Sequence, residues 1–267
     1  MKIIRYRAAD ETIAYAALGA DGSARAIEGD PFGEHRLTGD VVEVGELLAP
    51  IDPTQIIGIG LNYKRHAVES GMTPPDYPVV FHKTLNTVQA PGAPIVLPKG
   101  VHCEKTDYEC ELAVVIGIDC KDVPRERALE VVYGYTCAND VSARDWQLDK
   151  GGGQWSRGKS FDTFCPLGPV LVTSDEIPDP NALQIRTVLN GDIVQDWNTD
   201  DMIFDVPALI EFLSAGTTLL AGTVILTGTP HGVGMASVPP RWLHAGDVVT
   251  VSVVGIGDLR NPVVQES

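Results

Sequence analysis

Apolar and polar positions alternate along the first fifty residues in short runs. Lys2–Arg7 and Glu11–Leu18 alternate loosely, which predicts short strands, and Asp21-Gly22 between strand-like runs is a hairpin signal. Another run follows near Val41–Leu48, and Pro50 and Pro53 then punctuate the chain. The pattern predicts a small N-terminal β domain over residues 1–52 and a larger unit over 53–267. In the larger unit most apolar stretches are strand-sized: Ile56–Ile59, Val79–His82, Cys110–Ile116, Gly134–Ala138, Val170–Thr173, Ile185–Leu189, Thr223–Thr227 and Val248–Val254. Ala90-Pro91-Gly92 reads as a turn, and Asn190-Gly191 is the strongest hairpin signal in the chain. Helices are few. One runs from Asn62 as its cap to a stop at Gly71. A second covers Arg125–Val132, with Ala128, Leu129 and Val132 on one face, and a third covers Pro207–Leu213. The expected class is α+β, mostly β. Strands and helices do not alternate as βαβ units, and no G-x-G-x-x-G follows a strand, so neither a doubly wound sheet nor a dinucleotide fold is expected.

Composition narrows the partners. The 267 residues are 44% hydrophobic and 21% charged, enough for a sizeable core without disulfides. A formal net charge of -16 argues against nucleic acid and against an anionic membrane surface. The five cysteines, Cys103, Cys110, Cys120, Cys137 and Cys165, contain no CxxC pair and read as reduced, buried small hydrophobes. Reduced thiols, an N-terminus without a signal-peptide apolar core and the lack of any membrane-length apolar run point to the cytoplasm.

The informative stretch is Asp107-Tyr108-Glu109-Cys110-Glu111 before a strongly apolar run. Positions i and i+2 of a strand share a face, so Glu109 and Glu111 point together. Two carboxylates side by side near a core resist ionisation, and they share a proton, meet cationic side chains or bind a metal. Asp140, at the end of another apolar run, is the candidate third ligand. Hard oxygen donors favour Mg²⁺, Ca²⁺ or Mn²⁺ over zinc. A solvent-facing E-x-E at a strand start is the alternative.

His66 and Glu69 lie three apart, on one face of the first helix. They are either a carboxylate-oriented general base or an incidental surface ion pair. Lys159 lies in Gly158-Lys159-Ser160-Phe161-Asp162-Thr163, where it pairs with a substrate carboxylate or with Asp162. Arg144 offers a guanidinium fork to an anion. Gly228-Thr229-Pro230-His231-Gly232-Val233-Gly234 is either an anion-binding nest beside the Thr229 hydroxyl or a plain tight turn.

Taken in order, these segments resemble the fumarylacetoacetate hydrolase family. The matching stretches are Ile57–Tyr63 with His66-Ala67-Val68-Glu69, Glu109–Gly117, Asn139–Asp145, Gly158–Thr163, Thr227–Gly234 and Gly255–Pro262. The resemblance implies a mixed β-roll with a small N-terminal β domain, and a homodimer. It implies Mg²⁺ or Mn²⁺ on Glu109, Glu111 and Asp140, and a lid helix carrying His66 and Glu69. Lys159 matches the family's lysine, Arg144 and Gln147 follow the metal aspartate at the family's spacing, and Thr229 sits in the carboxylate-binding loop. The Gly151-Gly152-Gly153-Gln154-Trp155 segment is similar to a subgroup that includes diketo-deoxy-sugar-acid hydrolases, with an extra glycine and with Leu61 where many relatives have arginine. The implied function is hydrolytic C–C cleavage of an acylpyruvate or 2,4-diketo acid, a small anionic 2-oxo acid, through a stabilised pyruvate enolate. Oxaloacetate decarboxylation and isomerisation of a hydroxymuconate-type dienoate use the same site, and a metal-stabilised binding protein is the non-enzymatic rival.

Overall fold

The computed structural model describes residues 1–267. A meander opens the chain: β1 Lys2–Arg7, β2 Ile13–Leu18, β3 Ala24–Gly29, β4 His35–Val41 and β5 Glu46–Leu48. This small N-terminal β domain is not a separate sheet, because β1 pairs with a later strand. The expected run near 41–48 ends in β5, and residues 42–45 are the connection from β4. Next come β6 Gln55–Gly60, helix α1 Lys64–Glu69, β7 Val79–Lys83, β8 Val88–Gln89, β9 Ile95–Leu97, β10 Thr106–Asp107 and β11 Cys110–Ile116. After these lie β12 Val132–Asn139, β13 Ser142–Ala143, α2 Ser156–Lys159, β14 Cys165–Thr173, β15 Gln184–Leu189 and β16 Asp192–Asn198. The chain ends with α3 Val206–Ser214, β17 Thr223–Leu226, β18 Val248–Val253 and β19 Gly257–Gln265.

The large sheet runs β4-β3-β2-β1-β14-β12-β11-β17-β6-β7, and the smaller one β16-β15-β18-β19-β9. Pairing is antiparallel except for β17 with β6, β14 with β8 and β19 with β9, so no doubly wound sheet forms. Strand β11 explains its own apolar run. Cys110, Leu112, Val114 and Ile116 enter the core that also holds Ile185, Val251 and Val253 of the smaller sheet. Ala113 and Val115 pack on the opposite face with Leu167, Leu171 and Val224. A strand buried on both faces shows no alternation. Asn190 and Gly191, both at positive φ, close the β15–β16 hairpin as expected.

Two helix expectations are corrected. Asn62 does not cap α1, whose N-cap is Tyr63 without a side-chain bond. Instead Asn62 Nδ2 donates to the carbonyls of Phe204 and Thr227, and its Oδ1 accepts the Phe204 N–H. Gly71, at φ 64°, does end the turn after α1. The segment Arg125–Val131 is a 3₁₀ helix, and Val132 already belongs to β12. Its three-residue period buries Ala128 and Val131 and leaves Leu129 at the surface. No helix is long and apolar enough to cross a membrane.

Candidate metal and active site

Strand β11 leaves the core at its N-terminal end, where Glu109 and Glu111 meet Asp140 from the end of β12. Ligand oxygens of the three lie within 4.8 Å of one another, and all three residues are buried. Asn139 holds the approach by accepting the Glu109 N–H at 3.0 Å. Helix α2 is sewn to β7 through Ser156, whose hydroxyl accepts the His82 N–H. A Cβ at Gly158 would collide with the backbone of Gln147, so glycine lets α2 lie against the Arg144–Gln147 turn. That placement sends Lys159 into the cluster, with Nζ 2.7 Å from Glu109 and 2.6 Å from Asp140. Lys159 therefore does not pair with Asp162, which accepts from Asn86 instead.

Arg144 Nε donates to Asp107 at 2.9 Å and Nη1 to Gln147 at 2.9 Å. Its Nη2 lies 2.6 Å from a Glu109 oxygen, yet no acceptor is aligned with its N–H bonds. Burial alone would raise the Glu109 pKa, but Lys159 and Arg144 overcome it and hold the carboxyl well below its usual range. Glu111 goes the other way. Burial, then repulsion from Asp140 and Glu109, pushes it well above the usual carboxylate range. Burial opposes the charge on Lys159, yet Asp140 and Glu109 raise its pKa, so it stays an ammonium.

The site also contains residues that sequence reasoning missed. Lys83, fully buried on β7, donates to Asp140 at 2.6 Å and to the Val141 carbonyl. Asp107 accepts from Arg144 and from the Gly234 and Met235 N–H groups. Gln195 on β16 accepts from the Cys110 N–H and donates to Thr229 Oγ at 2.9 Å and to the Pro230 carbonyl. Those backbone partners fix which end of the amide is which, so Thr229 Oγ is an acceptor toward Gln195 and keeps its own proton to donate elsewhere. The run His82-Lys83 sits at the end of an apolar stretch and was the available signal for Lys83. Nothing local marked Gln195.

The Gly228–Gly234 loop is both a turn and a nest, and its anions are the protein's own. Gly228 N–H donates to Glu111, Gly232 N–H to Glu69 Oε1 and Gly234 N–H to Asp107. Helix α1 closes over this loop. His66 Nδ1 lies 3.2 Å from Glu69 Oε2, and the Arg65 guanidinium stacks 3.8 Å from the centre of the Trp197 ring. Together these elements wall a cavity of about 200 Å³ lined by His66, Glu109, Glu111, Arg144, Lys159 and Thr229 among others. Gln147 lines it too, whereas Glu69 stands behind His66 and Asp140 behind Lys159.

The residues present fit a divalent cation. Four buried carboxylates, Asp107, Glu109, Glu111 and Asp140, face three buried cations, Lys83, Arg144 and Lys159. Glu111 is the carboxylate that no ammonium or guanidinium touches, and its partner is a backbone N–H. An all-oxygen donor set of this kind suits Mg²⁺ or Mn²⁺.

Comparison with known proteins agrees with the geometry. Residues 55–264 match the family described as fumarylacetoacetate (FAA) hydrolase C-terminal, and residues 1–50 match one described as Rv2993c-like, N-terminal. Oxaloacetate tautomerase fahd2, mitochondrial, of Xenopus laevis is 50% identical over 219 residues, 82% of this chain and 68% of that protein. The crystal structure of 5-carboxymethyl-2-hydroxymuconate delta-isomerase from Mycobacterium smegmatis is 41% identical, with a TM-score of 0.87 and full coverage of both chains. A fumarylacetoacetate hydrolase from Exiguobacterium antarcticum is 36% identical, with a TM-score of 0.89 and the same coverage. A family match over most of the chain, joined to this carboxylate cluster, leads to one conclusion: the chain belongs to the fumarylacetoacetate hydrolase family.

Proposed function

We propose that this protein is a divalent-metal-dependent enzyme that hydrolyses a C–C bond in a small acylpyruvate or 2,4-diketo acid. The observation that supports this most is that the Glu109/Glu111/Asp140 cluster and the Glu69-oriented imidazole of His66 meet at one pocket. A bound Mg²⁺ or Mn²⁺ would supply Lewis acidity to the keto and carboxylate oxygens of a 2-oxo acid. Arg144 Nη2 and the Thr229 hydroxyl hold the substrate's carboxylate. Lys159, kept protonated, places positive charge where negative charge develops on the departing pyruvate unit. Glu69 accepts the Nδ1 proton of His66, which leaves Nε2 as the base. His66 takes a proton from water, the hydroxide adds to the distal carbonyl, the C–C bond breaks, and the proton returns to the carbon of pyruvate.

One observation favours a second reading. The similar proteins include a tautomerase and an isomerase, and proton transfer by His66 without an attacking water would serve either reaction. The two readings separate in one experiment. The protein is stripped with chelator and reloaded with Mg²⁺ or Mn²⁺. It is then given acetylpyruvate, or oxaloacetate trapped initially as its enol. Metal-dependent release of acetate and pyruvate supports hydrolysis. Accelerated enol–keto exchange without cleavage moves the assignment to tautomerisation. His66→Ala should lower turnover about 10²–10⁴-fold while Mn²⁺ affinity stays within twofold of wild type. Equal loss of both would remove His66 from the role of base. The stripped protein should keep its far-ultraviolet circular dichroism, because Lys83, Arg144 and Lys159 already compensate most of the buried charge. Collapse on stripping would mark the ion as structural.

A further inference from the structure

The hydrogen-bond donors of the pocket are gathered at its buried end. Of its cationic side chains, Lys159 is paired with Glu109 and Asp140, and Arg144 with Asp107, Gln147 and Glu109. The N–H groups of Gly228, Gly232 and Gly234 already serve protein carboxylates. What remains for an incoming anion is the third N–H of Lys159, Gln147 Nε2, the Thr229 hydroxyl and Arg144 Nη2, whose N–H bonds are not aligned with the carboxylates beside it, and all four side chains are buried.

The wall toward solvent is different. Its most exposed members are Leu148 and Met72, at 51% and 50%, flanked by the half-buried Trp155 and Met235. Ser70 is the one polar side chain among them. A second carboxylate there would lose water without gaining a counterion, in a protein whose net charge is -16. An apolar group would instead find two unbranched methionines that adapt to its shape. The cavity of about 200 Å³ holds roughly seven waters' worth of volume, which limits that group to a few carbons.

We propose that the substrate carries a single carboxylate, at its 2-oxo acid end, and a short apolar tail seated among Met72, Leu148, Trp155 and Met235. The proposal rests on the 2-oxo acid reading above and sets this chain apart from the dioate in the name of one similar structure, a 2-hydroxyhepta-2,4-diene-1,7-dioate isomerase. Calorimetric titration of the full-length, Mg²⁺-loaded protein tests it with 2-oxopentanoate and 2-oxoglutarate. These acids have equal carbon counts and differ in a terminal methyl or carboxylate, and neither has the second carbonyl that hydrolytic cleavage needs. The expected result is 2-oxopentanoate bound more tightly by about tenfold or more. Leu148→Arg gives the second carboxylate a partner and should tighten 2-oxoglutarate by about tenfold while weakening 2-oxopentanoate. Met72→Lys repeats the test should the first variant melt early. Equal or tighter binding of 2-oxoglutarate by wild type overturns the tail assignment and leaves the 2-oxo acid reading in place. Failure of both acids to bind overturns that reading, and the tail assignment with it.

Discussion

Glu111 shows how one residue trades stability for binding. Its carboxyl is 1% exposed, accepts a backbone N–H at 2.6 Å and has no cation in contact. Such a charge is costly to bury unless a cation arrives. Glu111→Gln keeps the shape and an acceptor for Gly228 while removing the group that ionises to meet a cation. The metal-free variant is therefore expected to melt at or above the wild-type temperature. Its Mn²⁺ affinity, read by calorimetry, should fall about 100-fold, at the upper end of what losing a supporting group costs a metal site and fitting for a direct ligand. A clear loss of metal-free stability with affinity intact would mean that Glu111 serves the fold rather than an ion. Glu109 and Asp140 do not share this behaviour, because Lys159 bridges them and Lys83 holds Asp140 from the other side.

At the scale of elements, α1 carries the catalytic candidates and is six residues long, too short to persist by its own hydrogen bonds. Its position depends on what ties its ends down. Asn62 joins the chain before α1 to Phe204 and Thr227, and Asp201 accepts the Arg65 N–H at 3.0 Å. A capping asparagine replaced by alanine costs about 1 kcal/mol. A fully buried cross-link that leaves Phe204 and Thr227 groups unpaired costs more, about 2–4 kcal/mol. Asn62→Ala should therefore shift the chemical-denaturation midpoint by the larger amount. The shorter loss would restore the capping role. Elements with strong local signals came out of the sequence well: the Asn190-Gly191 hairpin, β11, and α3 with Asp205 accepting the Ala208 N–H. The 3₁₀ segment did not, because its period is set by how α3 packs against it, not by residues 125–131 alone.

Across the whole molecule, burial governs the titration of groups that bind nothing in the pocket. Cys165 and the phenol of Tyr133 are both pushed up to about 12, first by desolvation. Each raised pKa means that the folded state holds a proton the unfolded chain releases above about pH 9 to 10. The stability these groups contribute is complete below that range and is lost as pH climbs toward 12. Denaturation midpoints should accordingly fall steadily above about pH 9, and a flat profile would contradict the burial of these groups. Thiol labelling reads the same property. Cys110, Cys137 and Cys165 are buried, while Cys103 and Cys120 are half-buried. Native protein should react slowly at no more than those two, and all five should react after unfolding.

By itself the sequence determined the β-rich architecture, the E-x-E pair, Asp140, the His66–Glu69 spacing and the family that these motifs mark. Strand period, turn chemistry and motif spacing are local properties, and a linear reading can find them. Only the tertiary structure decided which groups meet. Lys83 reaches Asp140 across 57 residues, Gln195 reaches the Cys110 N–H across 85, and Gly228 reaches Glu111 across 117. The loop that reads as an anion nest turned out to hold the protein's own carboxylates, which changes how many a substrate can carry. Hydrogen-bond donors are consumed by whichever acceptor the folded chain brings nearest. That competition is settled when β7, β11, β12, β16 and the loop after β17 converge on one pocket.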